Sequence, residues 1–336
     1  MKILVTGASG RIGHYLVDVL LGRGYQVRAL VMPGDPLRSR IEKSGVEIAE
    51  GLLTDRASLL PAVEGVDVVY HLGALLPRGR TADELFEVNV RGTYNLLEAL
   101  LPYASRIKRF VFASTDNVYA DNLGARYFPI DENHPRLNND PYGISKIIGE
   151  DLCWGYMRRC GMPVAMPRFG VTIECHELVN PEGPRASRYA LKPFLARLKA
   201  IPNPDSIDAE AIRRLEAEDS NEVKLVIARD PQGRPDVEMC NDPRNVAEAL
   251  PLFMETDIAV GNIFHIMAAH PFTYSEFVKH LYKLTGWPIV EVTVSSALRW
   301  ELSIAKARAM LGYNPTRGVF QMLDEGWKIM KPHLAK

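Results

Sequence analysis

Several large classes of protein are marked by features that this sequence lacks. Its 336 residues include only 4 cysteines, Cys153, Cys160, Cys175 and Cys240. None stands in a CxxC pair or at metal-ligand spacing from a histidine. That excludes the common zinc and redox motifs and leaves reduced thiols as core filler. No apolar stretch approaches the ~20 residues that a membrane span needs. Neither charge sign is in excess: 40 Lys and Arg stand against 41 Asp and Glu, a net charge of −1. A basic surface for nucleic acid or anionic lipid is therefore not expected. Repeats and low-complexity tracts are also missing. The first strand-like run begins at Lys2, so no leader peptide is expected. Together these absences predict a soluble, cytoplasmic protein with no metal, nucleic-acid or membrane partner.

Hydrophobic residues are plentiful at 47 %, enough for one large domain or two intimate ones. In the N-terminal half, short β-rich runs alternate with helical patterns. The runs are "KILVT" (2–6), "QVRALV" (26–31), "VEIAEG" (46–51), "DVVYHLG" (67–73), "RFVFAS" (109–114) and "PVAMPRFG" (163–170). Helix-length segments at 83–103 and 142–160 fall between the later ones. Apolar runs alternating with helices predict an α/β fold with a doubly wound parallel sheet. Beyond residue 171 the pattern loosens among Pro181, Pro184, Pro193, Pro202 and Pro204. Residues 208–220 read as a short, mostly polar surface helix. The helix in "TYSEFVKHLYKLTG" has Thr273 as candidate N-cap and Gly286 as terminator. The expected organisation is a dinucleotide-binding domain over 1–170 and a smaller, loop-rich substrate lobe over 171–336. Segments at about 235–268 are expected to return to the first domain.

"TGASGRIG" (6–13) lies between the first strand and the first helix. Gly7 permits a tight turn, Gly10 lets the backbone approach a pyrophosphate, and Gly13 allows close helix–sheet contact. Free N–H groups and the helix dipole then attract phosphate. The acidic residue expected at the end of the second strand is replaced by Val31, followed by Met32 and Pro33. No carboxylate is expected to repel a 2′-phosphate, and Arg11, Arg38 and Arg40 are near enough in sequence to approach one. The cofactor is thus NAD or NADP, with a lean to NADP.

"DPYGISK" (140–146) offers Asp140 as N-cap and Pro141 at the first helical position. Tyr142 and Lys146, four apart, share one helical face. A nearby ammonium favours the phenolate, so the tyrosine is expected to titrate toward neutrality. Moving it from ~10 to ~7 requires roughly 4 kcal/mol, which Lys146 and a positive nicotinamide could supply together. A third feature is the polar stretch "STDNVYADN" (114–122), which directly follows the apolar run "RFVFA".

Taken together, these motifs resemble the extended short-chain dehydrogenase/reductases, of the NAD-dependent epimerase/dehydratase type. "TGASGRIG", "HLGA" (71–74), "NVRGT" (89–93), "STDNVYA", "YGISK" and the late "AKARAMLGYNP" (305–315) occur in that family's order over nearly the whole chain. The resemblance implies a Rossmann-type sheet and hydride chemistry at a secondary alcohol or ketone. Thr115 would bond the reacting oxygen, Tyr142 would be the acid/base, Lys146 would hold the ribose, and Asn89 would steady the helix and a relay water. Cofactor contacts would extend to Ser9, Arg11, Ile12, Met32, Leu53, Leu72, Gly73, Ala74 and Phe169. Substrate contacts would come from Thr115, Asp116, Asn117 and Arg168, with Arg185 and Arg188 as an anion site in the second lobe. That basic stretch, which continues to Lys192 and Arg197, reads otherwise as a solvated helix face. A homodimer through helices 83–103 and 142–160 is implied as well.

The chain also departs from the family's patterns. Asn117 stands where the dehydratases carry a glutamate, and an amide cannot abstract a proton. Val171 and Glu238 replace an Asn and an Arg that usually hold a sugar diphosphate. Leu52 replaces an Asp that contacts adenine. The expected activity is therefore NAD(P)-dependent oxidation or reduction of a small polar substrate, such as a sugar or sugar acid. A sugar or nucleotide-sugar epimerase is the alternative, and a non-catalytic dinucleotide-binding regulator is the alternative of another class.

Overall fold

In the computed structural model, which describes residues 1–43, 45–119 and 124–334, the chain opens with β1 (Lys2–Thr6), α1 (Gly13–Gly22), β2 (Gln26–Val31) and β3 (Val46–Glu50). There follow α2 (Arg56–Val63), β4 (Val68–His71), α3 (Ala82–Leu85), a π-helical turn (Phe86–Arg91) and α4 (Gly92–Leu100). Next come β5 (Arg109–Phe112), β6 (Ser114–Thr115), α5 (Pro141–Cys160) and β7 (Val164–Phe169). The later elements are α6 (Cys175–Val179), α7 (Leu191–Lys199), α8 (Ser206–Ala217), β8 (Leu225–Arg229), β9 (Val237–Glu238), α9 (Pro243–Glu255) and β10 (Ile263–Ile266). The last are β11 (Phe272–Thr273), α10 (Tyr274–Thr285), β12 (Ile289–Thr293), α11 (Ala305–Leu311) and α12 (Val319–Leu334). Ala120, Asp121 and Asn122, the end of the polar stretch, lie outside the described residues.

One sheet runs in the order β10-β7-β5-β4-β1-β2-β3, with β6 beside β7. Every pair in it is parallel. This is a Rossmann-type doubly wound sheet. Each residue of β4, β5 and β7 is buried, because helices cover both faces and leave no polar side. The strand order reverses between β1 and β4, where such sheets open a crevice at their carboxyl ends. The register sets Thr6 beside His71 and Thr115 beside Phe169, so the strand ends finish level around that opening.

The chain divides into two compact units. The first comprises Met1–Gly170, Pro243–Met267 and Leu302–Asn314. Its core includes Leu4, Val69, Leu96, Leu100, Phe110, Phe112 and Met166. The second comprises Val171–Asp242, Ala268–Glu301 and Pro315–Lys336. There β8 pairs with β12 in parallel and β9 pairs with β11 antiparallel. One of its cores gathers Tyr189, Phe272, Phe277 and Met322. Thr273 caps α10 in a reciprocal capping box with Glu276, and Gly286 ends that helix at φ +73°, as the spacing predicts. Helix α8 is less superficial than its composition suggests. Ala211 and Leu215 enter a second core, and buried Asp208 accepts from the backbone and hydroxyl of Ser295. Among the described residues no helix is long and apolar enough to cross a membrane.

Candidate active site

The glycine loop carries its tightest constraints at two positions. Gly7 has φ +65°, and a Cβ there would stand 2.8 Å from Gly73 Cα and N. At Gly13 it would stand 2.2 Å from the carbonyl oxygen of Gly7. Only glycine lets α1 start this close to the strand ends. Gly10 differs, since a Cβ there would meet only the Gly7 carbonyl, at 3.1 Å. Ile12 is the N-cap of α1, whose first turn carries no acidic residue, and the positive end of the helix dipole favours an anion there. Ser9 is buried, whereas Arg11 and Ile12 are half-buried. Leu72, Gly73 and Ala74 follow β4, with the Gly73 N–H on Thr6 Oγ1 at 3.0 Å. Leu53 packs its Cβ where Gly92 lacks one, and Met32 is 55 % exposed at the end of β2. These residues fit a nicotinamide dinucleotide: the close approaches fill the inner side of the loop and leave its outer side to phosphate.

Ser9 is also where sequence reasoning missed a residue. Its hydroxyl donates to Asp35 Oδ2 at 2.5 Å, so a carboxylate does stand beside the loop. This carboxylate reaches the loop, although none ends β2, because the chain doubles back after β2. Asp35 N–H bonds to the Met32 carbonyl across a turn with Pro33 second and Gly34 third, at φ +71°. Pro followed by Gly at those positions signals this turn, and that signal was available in the sequence. Arg38 is engaged by Glu42 and Glu50.

Thr115 ends β6, and the next three residues form a 3₁₀ turn capped by its own hydroxyl, which accepts from Asn117 N–H at 3.2 Å. Tyr142 and Lys146 occupy the first turns of α5. Asp140 caps that helix by accepting from Gly143 N–H at 2.9 Å. Tyr142 lies close enough to Thr115 for that hydroxyl to act on the titration of the phenol, and Phe169 lies beside Thr115 on β7. Lys146 Nζ donates to the Ala113 carbonyl at 2.9 Å and sits over the Phe112 ring. Asn89, in the π-helical turn, clamps the backbone of Leu75 with both ends of its amide and donates to Ser145 Oγ at 3.1 Å. Asp116 is 4 % exposed and accepts from Thr115 Oγ1 at 3.2 Å. Asn117 is half-buried in the same turn.

Lys146 by itself does not bring the tyrosine toward neutrality. The Tyr142 pKa is raised, first by burial and then by the charge of Asp116, against the opposing bond from Thr115. The Lys146 ammonium does not offset this. It spends a proton on Ala113, and burial lowers its own pKa to about 8. Helix spacing alone could not reveal the desolvation, which here outweighs the neighbouring charge.

Arg168 also lies elsewhere than expected. It is 2 % exposed, and Glu150 takes Nε at 2.7 Å and Nη2 at 2.8 Å. Tyr119 accepts from Nη1 at 2.6 Å. This cation is buried and paired in the interior of the first unit. In the second unit Arg185 pairs with Glu238, and Arg188 with Asp236 at 3.4 Å. Arg197 is half-buried over Phe194 and donates to the Ser187 carbonyl. The basic stretch is thus a set of paired and packed side chains, apart from exposed Lys192. Glu238 is itself buried and accepts from Tyr274 Oη at 2.6 Å.

Residues 3–188 match the model of the NAD dependent epimerase/dehydratase family. An uncharacterized UDP-glucose epimerase of Bacillus subtilis is 36 % identical over 185 residues, 50 % of this chain and 56 % of that protein. An L-arabinose 1-dehydrogenase (NAD(P)(+)) of Haloferax volcanii is 33 % identical over 187 residues, 53 % of this chain and 69 % of that one. Matches to these relatives thus span from just over half to about two thirds of their length. Among solved structures, a short-chain dehydrogenase/reductase superfamily protein from Agrobacterium tumefaciens with bound NAD is 31 % identical, with a TM-score of 0.85 over 100 % of this chain and 98 % of that one. A UDP-glucuronic acid 4-epimerase from Bacillus cereus in complex with NAD shares the fold at TM-score 0.71 and 23 % identity, over the full length of both chains.

Proposed function

Because this chain belongs to the NAD-dependent epimerase/dehydratase family, we propose that it is an NAD(P)-dependent oxidoreductase acting on a secondary alcohol or ketone of a small polar substrate, a sugar or sugar acid. One observation carries the reading. Thr115 at the end of β6 and Tyr142 on α5 lie close together, and the Lys146 ammonium, one turn on in α5, rests on the Ala113 carbonyl just before β6, all in the unit that holds the glycine loop at β1. A bound nicotinamide would supply the hydride acceptor for an alcohol when oxidised and the hydride donor for a ketone when reduced. Thr115 orients the reacting oxygen, and Tyr142 exchanges a proton with it. The raised pKa keeps the phenol protonated in the protein alone, the form that donates to a ketone oxygen. Lys146 and the loop residues Gly7 to Gly13 hold the dinucleotide, and Asp35 receives its adenosine ribose. A carboxylate there accepts two ribose hydroxyls and repels a 2′-phosphate, so we read the preference as NAD over NADP.

The smaller unit is read as the substrate lobe. Buried Glu238, held by Arg185 and Tyr274, and Val171 disfavour a diphosphate, which supports a substrate without a nucleotide handle. A second reading, sugar epimerisation without net redox change, is favoured by the names of the relatives above. Four free cysteines suit a reducing cytoplasm. Exposed Phe86, Tyr94 and Ile144 on the π-turn, α4 and α5 support a homodimer through those helices. The test is a panel of free sugars, sugar acids and nucleotide sugars with NAD and NADP. Growth of NAD(P)H absorbance with a free sugar or acid supports the oxidoreductase. Product formation from a UDP-sugar without that absorbance overturns it in favour of the epimerase.

A further inference from the structure

Buried polar groups that the proposed reaction does not use form one continuous chain. The Gly73 N–H meets Thr6 Oγ1 at 3.0 Å, and Thr6 Oγ1 meets His71 Nδ1 at 2.8 Å. His71 Nε2 meets Thr93 Oγ1 at 3.0 Å, and Thr93 donates to the Asn89 carbonyl at 2.6 Å. From Asn89 the side-chain amide reaches Ser145 Oγ, which donates to the Tyr142 carbonyl at 2.7 Å. Thr6, His71, Asn89 and Thr93 are each at most 2 % exposed.

Proton positions follow from one end of this chain. A carbonyl oxygen only accepts, so the Thr93 proton lies on the Asn89 side and the Thr93 oxygen accepts from His71 Nε2–H. In a neutral ring Nδ1 is then bare and accepts from Thr6, whose oxygen accepts from Gly73. Every donor has an acceptor, and only the neutral ring satisfies the set. Burial beside Lys146 keeps it neutral, lowering its pKa to about 3. The Thr93 bond also lands on the π-helical turn (Phe86–Arg91), where the regular helical ladder is interrupted.

We propose that His71 and Thr93 are positioning residues: through Asn89 and Ser145 they tie the base of the glycine loop to the first turn of α5 and so set where the Tyr142 hydroxyl stands. The proposal rests on reading Tyr142 as the acid/base. Mere burial of polar groups requires only that partners exist. Positioning requires in addition that their loss be felt at the phenol.

The test compares Thr93→Val, Thr93→Ser, His71→Leu and His71→Gln, each with and without Tyr142→Phe. Phenol ionisation is read by ultraviolet difference spectroscopy under saturating NAD⁺, every variant against its own Tyr142→Phe counterpart. Turnover is measured with L-arabinose. Thr93→Val and His71→Leu should keep the NAD⁺ dissociation constant within about threefold, displace the ionisation midpoint, and cut kcat by about tenfold, within the range for small misplacements. Thr93→Ser and His71→Gln keep the needed donors and should track the wild type. Thr93→Val should slow the Tyr142→Phe enzyme no further. The proposal fails if Thr93→Val matches wild type in ionisation, if Thr93→Ser suffers equally, or if Thr93→Val slows both backgrounds alike. Full turnover by Tyr142→Phe would instead remove the acid/base reading. Should L-arabinose not react, the ionisation measurement decides.

Discussion

Replacing Gly143 by alanine opposes two effects whose sizes can be worked from the structure. Gly143 lies in the first turn of α5, where alanine gains about 1 kcal/mol of helix propensity over glycine. A Cβ there would stand 2.5 Å from the Asn117 carbonyl oxygen and 2.5 Å from Asn138 Cγ. Ordinary contact needs roughly 1 Å more, and the Asn117 oxygen belongs to backbone that cannot rotate away. Overpacking of this kind costs about 1–3 kcal/mol, so a net loss of about 0–2 kcal/mol is expected. The larger effect should be functional, because relief separates the turn carrying Thr115 from the helix carrying Tyr142. A displacement of about 1 Å at reacting groups costs up to about 10²-fold in rate. Urea midpoints, NAD⁺ affinity by calorimetry, and turnover on the best substrate of the panel measure the three quantities. A Gly143→Ala protein more stable than wild type and fully active would refute the reasoning, since the close approach would then not set the site.

Tyr142→Phe should leave NAD⁺ affinity nearly unchanged and lower turnover by about 10²-fold or more, checked by calorimetry and steady-state kinetics. Asp35→Ala should weaken NAD⁺ binding by about tenfold or more, the scale of a lost charge-assisted bond, and weaken NADP⁺ binding less; equal losses would remove Asp35 from the ribose. Thr115→Val should impair turnover more than Asn117→Ala, because the amide transfers no proton, and the reverse order in kinetics would sink that assignment. Stability should depend on two buried histidines, His71 and His265, whose pKa values are each lowered to about 3, chiefly by burial. The unfolded chain takes up their protons near pH 6.5 and the folded one does not, so stability is full above that pH. It should fall below it by about 1.4 kcal/mol per pH unit for each histidine until about pH 3. Urea midpoints that stay flat from pH 7 down to 5 would contradict those buried, neutral rings.

The fold class was legible in the sequence because its signals are local. A strand, a glycine-spaced turn and a helix start occur within "KILVTGASGRIG", and alternating apolar runs specify a sheet covered on both faces. The caps at Asp140 and Thr273 and the stop at Gly286 are equally local, since each bonds backbone within one turn. Residue types for proton exchange, Tyr142 and Lys146, are likewise visible at helical spacing. What spacing could not supply is environment. Desolvation decides the state of Tyr142, and it depends on every segment packed around the phenol rather than on the lysine one turn away. Arg168 pairs with Glu150 across β7 and α5, so a cation that reads as available is consumed by a partner 18 residues earlier. Arg185 and Glu238 are farther apart still, and only packing within the second unit brings them together. Asp35 reaches Ser9 because β1 and β2 lie side by side and the Pro33–Gly34 turn reverses the chain. Short-range patterns determine which elements form. Which charges meet, and which are stripped of water, is decided only when distant segments share one interior of low polarity.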